Sequence, residues 1–325
     1  MQADKPRPTS ALPKLLLYLL VVMVGGALLA PLVFDLGRDG VAWIKGSSFA
    51  ETGVAKWLTT TVERAHFTRF FNRAVLICAL VFIWPFLKSM KLDRSLLPAW
   101  KPYGSGLGQA VIGFGMAAGL LLIMGSIFFR LGAYQFRTEP GWWKLGEPIT
   151  AALGASIVEE FFFRALLMGL LLRTMTTKTA IFWGTFVFAI VHFLKPPEGW
   201  KIPDDQVTWD SGFVVLGQIA RGFGDINFLL AEFATLFAVG LVLTLARMQT
   251  GALWAGIGLH AGWVFGLKWF TGLMSYQKGW LPWIGPNLKI GLAPLVTVLI
   301  TGALVLWLLH GIASAAKTKG LEKKR

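Results

Sequence analysis

The chain has 325 residues, 55% hydrophobic and only 15% charged, where a soluble domain carries roughly 25% charged residues, and its mean hydropathy is +0.62. These proportions exclude an ordinary soluble protein, and a single cysteine, Cys78, excludes a disulfide framework, a CxxC redox pair and a cysteine-rich metal site. The formal charge of +14 is scattered between apolar runs and forms no basic stripe interleaved with aromatics, which argues for membrane topology and against nucleic acid as a partner.

Apolar runs of about 17–25 residues match a hydrocarbon core of about 30 Å and predict an all-α polytopic bundle with about eight transmembrane helices. In chain order they fall near Leu15–Phe34, Phe71–Leu87, Leu107–Leu131, Ile149–Leu172, Thr179–Leu194, Ile226–Ala246, Leu253–Leu273 and Lys289–Ile312. The first follows a basic stretch with Lys5, Arg7 and Lys14. It exceeds the apolar region of about 7–15 residues found in a secretory signal and reads as an anchor. Gly115 and Gly119, at GxxxG spacing, predict close packing by the third span. The fifth run stops at Lys195-Pro196-Pro197. The connection Lys195–Asp225 then carries a short apolar piece from Phe213 to Ile219, readable as an interfacial or re-entrant element over a site or as a surface loop. Trp142, Trp143, Trp200 and Trp280 stand near span ends, as an interfacial belt would place them. An even number of spans puts both termini on one side of the membrane. The Lys/Arg density of the N-terminal tail, the loops around Lys88–Lys101, Arg173–Lys178 and Arg247, and the tail Lys317–Arg325 makes that side the cytoplasm. In a bacterial cell the membrane would be the plasma (inner) membrane.

A charged group near the bilayer centre costs at least about 2.5–3.5 kcal/mol, so the informative residues are those deep inside apolar runs. The fourth run holds Glu159, Glu160 and Arg164, and the sixth holds Glu232. Helical geometry separates the two adjacent glutamates by about 100°, whereas Glu160 and Arg164 at i and i+4 stack on one face. Four residues beyond Glu159 stands Phe163, not a cation. Glu159 is therefore the carboxylate placed to act as a base; a polar cluster that merely ties helices together is the alternative. His192 closes the fifth run and His260 lies inside the seventh. Either alone suits an interhelical hydrogen bond. With the glutamates they supply what is needed to hold zinc through two His and a Glu, or to activate water directly with Glu as base. His66, in a polar loop, and His310, at the end of the last run, receive no role.

Together these residues resemble the CAAX prenyl protease type II and bacteriocin-processing family of intramembrane endopeptidases, called CPBP or Abi. Its EExxxR motif appears as Glu159-Glu160-Phe-Phe-Phe-Arg164, its FxxxH as Phe188-Ala-Ile-Val-His192, and the histidine of its HxxxN-type motif as His260. Phe237-Ala-Val-Gly240 and Thr250-Gly-Ala-Leu-Trp254 look like the family's sixth-span glycine and following turn. The resemblance runs from about Gly146 to Phe270 and suggests three regions: 1–145 with three spans, a family-like catalytic core at 146–273, and 274–325 with the last span and a basic tail. It implies that Glu159 activates water and that His192 and His260 orient that water or stabilise the oxyanion. Glu160 and Arg164 would hold the site together, with Phe188 in support. It leaves the cofactor open between none and a divalent metal such as zinc on Glu159, His192 and His260, and it implies membrane lipid and a membrane-associated peptide or protein as partners. One position departs from the pattern. Val264 stands where the family has Asn or Asp, which removes a hydrogen-bond donor for the scissile carbonyl. The Trp263 indole N–H or a backbone amide is the candidate replacement. Two other readings use the same residues: a non-catalytic immunity or regulatory scaffold, and a transporter relaying protons or a cation through Glu159, Glu160, Glu232 and the histidines.

Overall fold

The computed structural model describes residues 11–90, 106–141, 145–196, 199–224 and 226–322. Lys5, Arg7, Trp142, Trp143, Pro197, Asp225, most of the Lys88–Lys101 loop and the last residues of the basic tail lie outside the described residues. In chain order the elements are α1 (Ala11–Lys45), α2 (Gly53–Glu63), α3 (Phe67–Ser89), α4 (Gly106–Arg130), β1 (Tyr134–Phe136), α5 (Gly146–Glu159), a π-helical segment (Glu160–Leu167), α6 (Met168–Thr174), α7 (Thr177–Val191), a 3-10 turn (Asp204–Gln206), α8 (Ser211–Gly222), α9 (Ile226–Thr250), α10 (Trp254–Leu273), β2 (Met274–Tyr276) and α11 (Leu292–Glu322). The expected all-α membrane architecture is what the chain forms. Among the described residues the only strands are β1 and β2, an antiparallel pair with Tyr134 opposite Tyr276. The Tyr134 hydroxyl donates to the Gly285 carbonyl at 2.7 Å; burial and the neighbouring Tyr276 push that phenol's pKa up.

Five described stretches are long and apolar enough to cross a membrane: Leu12–Lys45, Phe67–Ser89, Gly106–Arg130, Ala231–Thr250 and Leu292–Gly311. The other three expected runs take different forms. The fourth is α5, the π-helical segment and α6 in succession. The fifth, α7, is a 15-residue helix, short for a bilayer crossing. The seventh, α10, has the length, but Gly, Trp and His260 dilute its hydropathy. The first expected run also underestimates its helix, since α1 continues to Lys45 and takes in Arg38.

Contacts divide the chain into two compact units, one of Met1–Leu92 with His192–Asp225 and one of Asp93–Val191 with Ile226–Arg325. In the first, α1 runs along α3, and α2 and α8 also pack on α1. Small and aromatic residues interlock there: Ala27, Ala30 and Ala74 leave room for Phe34, Phe67, Phe70 and Phe71, and Phe34 sets its ring edgewise to Phe67 and Phe70 at 5.8 and 5.2 Å. The Lys195–Asp225 connection contains a helix and not a bare surface loop. A Cβ at Gly212 would fall 2.0 Å from the Ala27 carbonyl oxygen, so α8 approaches α1 as only glycine permits. Arg38 donates to the carbonyls of Val62 and Ala65 and pairs with Asp204, joining α1 to the end of α2, to the chain just beyond it and to the 3-10 turn. His66 stands at the N-cap of α3.

In the second unit the most extensive contact joins α4 to α10. Gly258, Gly262 and Gly266 recur every fourth residue on α10, and a Cβ at Gly258 or Gly262 would lie 2.1 Å from the Ala110 carbonyl or 2.5 Å from the Phe114 carbonyl. From α4 the matching close approach comes from Gly113, whose Cβ would sit 2.9 Å from the Leu259 amide nitrogen. Gly115 and Gly119, the pair that spacing singled out, meet nothing within 4 Å. The correction is one of helix face: two residues on from Gly113 is about 200° around the helix, so Gly115 points away from α10. The turn from α9 into α10 is set locally. Gly251 adopts φ +69 and donates its N–H to the Arg247 carbonyl at 2.9 Å, the left-handed closure that ends many helices. Thr250 Oγ1 bridges the turn, donating to the Ala246 carbonyl at 2.8 Å and accepting from the Ala252 amide at 3.3 Å.

Candidate active site

The acidic pair sits where α5 passes into the π-helical segment, Glu159 ending the one and Glu160 opening the other. Such wide turns within helices often mark functional positions. Glu160 and Arg164 are buried, with side-chain exposures of 0% and 2%, and their nearest charged atoms, Oε1 and Nη1, are 3.2 Å apart. The i, i+4 pairing expected from the sequence therefore forms inside the protein. His260 of α10 joins it, its Nδ1 donating to the same Glu160 oxygen at 3.0 Å. Arg164 Nη2 donates to the Gly240 carbonyl on α9 at 3.3 Å, and the guanidinium carbon lies 4.1 Å from the centre of the Phe188 ring. Phe188 in turn meets His260 edgewise at 6.1 Å. One carboxylate thus gathers groups from the π-helical segment and α10, and its arginine reaches α7 and α9.

Two glycines make the gathering possible. A Cβ at Gly256, four residues before His260, would fall 2.8 Å from Glu160 Oε2, and one at Gly240 would fall 2.8 Å from Phe188 Cδ1. The Gly256 position was not recognised from the sequence; its i−4 relation to His260 is the signal that carried it. No side-chain pattern could have announced the Gly240 carbonyl as an acceptor, because every residue has one.

Glu159 differs from its neighbour. Its side chain is 31% exposed, and its Oε2 lies 3.8 Å from His260 Nε2. Facing the Arg164 guanidinium, Glu160 is an acceptor, so His260 Nδ1 carries the proton between them. That hydrogen bond fixes the orientation of the ring and leaves Nε2 turned toward Glu159.

Glu159, Glu160, Arg164, Phe188 and His260 thus come together in the second unit. His192 is the first residue beyond the end of α7 at Val191 and is grouped with the first unit. Glu232, the acid of the sixth run, forms an ion pair with Lys289, which ties α9 to the chain just before α11. Trp263, one turn beyond His260, is 6% exposed, and its Nε1 has no hydrogen-bond partner among the described residues.

Among the described residues no group of three or more His, Cys, Asp or Glu side chains could hold a metal ion. Within the cluster Glu160 Oε1 already meets Arg164 and His260. Glu159 Oε2 and His260 Nε2 face each other at 3.8 Å, two of the three ligands a catalytic zinc site takes, and no step below passes through a metal.

The family described as type II CAAX prenyl endopeptidase Rce1-like has a model that matches residues 141–266, a stretch containing Glu159, Glu160, Arg164, Phe188, His192 and His260. This is the family that the three motifs resembled. No curated protein matches the chain, and no solved structure does. The match is to a family of CAAX-type proteases, and the apolar helices make the chain an integral membrane protein.

Proposed function

We propose that this chain, whose residues 141–266 fall in the type II CAAX prenyl endopeptidase Rce1-like family, is an intramembrane endopeptidase that hydrolyses a peptide bond of a membrane-associated substrate with water activated by Glu159. The observation that carries the reading is the opposition of Glu159 Oε2 and His260 Nε2 at 3.8 Å, with His260 held from behind by Glu160. Two acceptors so placed hold a water that donates to both. As the water oxygen attacks the carbonyl carbon, its proton passes to Glu159. Collapse of the tetrahedral intermediate breaks the C–N bond, and the proton held by Glu159 goes to the leaving amine. The products are a carboxylic acid and an amine, which become carboxylate and ammonium when the acid's proton passes to the amine, with Glu159 returned to its starting state.

Glu160 and Arg164 act through His260. The buried carboxylate keeps the imidazole in one orientation and tautomer, and Arg164 balances its charge, as partners behind a functional histidine commonly do. For His192, of the FxxxH motif, the resemblance to the family implies a role in orienting the water. Glu159 is partly exposed where the rest of the cluster is buried, and polar groups at membrane depth persist where a cavity is lined for them. Both termini face the cytoplasm, and in a bacterial cell the membrane is the inner one.

The test compares peptide termini in the membrane and secreted fractions of cells making wild type or Glu159→Gln at equal accumulation. Loss of a general base lowers rates by about 10²–10⁴, so termini generated by the wild type should fall at least a hundredfold in the variant. Identical profiles from the two proteins would sink the reading.

A further inference from the structure

We propose that the Trp263 indole N–H donates to the scissile carbonyl oxygen as it becomes an oxyanion, which makes Trp263 a catalytic residue of this site. The proposal rests on the peptidase reading above and starts from an inventory of donors in the second unit. A carbonyl under attack by water needs a positioned donor where its negative charge develops. Glu159 and Glu160 accept. Arg164 turns to Glu160 and Gly240, and His260 gives its Nδ1 proton to Glu160. Val264 has nothing to donate. The buried donors of this unit with an atom left unpartnered among the described residues are Arg164, Thr185, Arg247, Trp263 and Trp269; an indole nitrogen can only donate, and Trp263 stands one turn beyond His260 on the same helix. Buried tryptophan N–H groups ordinarily have a partner.

Direction distinguishes this indole from a chance orphan. At about 100° per residue, Trp263 lies about 20° around α10 from Gly256 and about 60° from His260. Both of those residues face Glu160. Gly258 and Gly262, which face α4, are about 140° and 100° away from Trp263. Helical side chains lean toward the N-terminus and cover the preceding turn, and the turn preceding Trp263 is the one that bears His260. Trp269 supplies a control within the same helix. Its Nε1 is likewise buried and without a partner, but its ring stacks on Phe265 at 5.9 Å and its position is about 140° around the helix from Gly256.

The experiment measures Glu159-dependent peptide termini from cells making wild type, Glu159→Gln, Trp263→Phe or Trp269→Phe at matched accumulation, together with the thermal unfolding midpoint of each purified protein. Phenylalanine keeps an aromatic ring and removes the N–H. Removing one oxyanion donor lowers rates by about 10²–10³, so Trp263→Phe should cut the termini about a hundredfold at an unchanged midpoint, with Trp269→Phe within about twofold of wild type. Full activity in Trp263→Phe, or an equal loss in Trp269→Phe, overturns the proposal. If Trp263→Phe fails to accumulate, Trp263→benzothienylalanine, which keeps both rings and puts sulfur in place of N–H, decides by the same criterion. Termini unchanged in Glu159→Gln overturn the peptidase reading and this proposal with it, an outcome distinct from loss in Glu159→Gln with none in Trp263→Phe.

Discussion

Two groups of acids lie in apolar helices of the same unit and are accommodated in opposite ways. Glu232 on α9 meets a single cation, Lys289, with side-chain exposures of 8% and 20%. At the junction of α5 and the π-helical segment, Glu160 draws Arg164 and His260 to one oxygen, while Glu159 keeps 31% of its side chain exposed and looks onto the free edge of the same imidazole. One carboxylate matched to one cation ties parts of the chain together. A carboxylate that anchors a histidine beside a second, partly exposed carboxylate makes a pair suited to water. The number of acids in a span therefore says less than how their partners are divided among them.

That contrast can be broken by experiment. Glu160→Gln leaves the buried Arg164 guanidinium without its counter-charge, and removing one member of a buried pair costs about 3–5 kcal/mol. The unfolding midpoint should drop markedly, and the peptide termini should vanish with it. A melt close to wild type would show that Glu160 is not the keystone. Next in size is the glycine contact that holds α10, and with it His260. Gly258→Ala drives a methyl group into the Ala110 carbonyl and should cost about 1–3 kcal/mol by overpacking, read in the same melts. Glu232→Gln and Lys289→Met, separately and combined, should give a coupling of about 1 kcal/mol, as expected for a partly exposed pair, with termini at wild-type level. Loss of termini at an unchanged melt in Glu232→Gln would move Glu232 into the chemistry and erase the contrast. The smallest effect belongs to Gly115→Ala, whose added methyl meets nothing within 4 Å; stability should stay within about 0.5 kcal/mol of wild type.

Particular residues show how far the sequence could be read. The Glu160–Arg164 pair was legible because i, i+4 neighbours on a helix meet whatever surrounds them. His260 was legible as a histidine inside an apolar run and Phe188 only through motif order, and the structure adds that Phe188 stacks on Arg164. The GxxxG spacing in α4 misled, since spacing names two small residues on one face without saying which face has a neighbour. Lys289 drew no attention at the head of the last run, yet it is the partner of Glu232. The α8 helix was half legible: its apolar piece stood out, but its seat on α1 depends on Gly212.

By itself the sequence determined an all-α membrane protein, the helical pairing at Glu160, and the short motifs that match the family over 141–266. Hydropathy and helical period belong to neighbours along the chain, so they need no knowledge of packing. The tertiary structure alone decided that His260, a hundred residues from Glu160, turns its Nδ1 to that carboxylate and its Nε2 to Glu159, and that Glu232 is matched to Lys289. It also decided that α10 docks through Gly258 and Gly262. Contacts between distant residues depend on which faces are buried against each other, and glycine decides that by what it leaves empty.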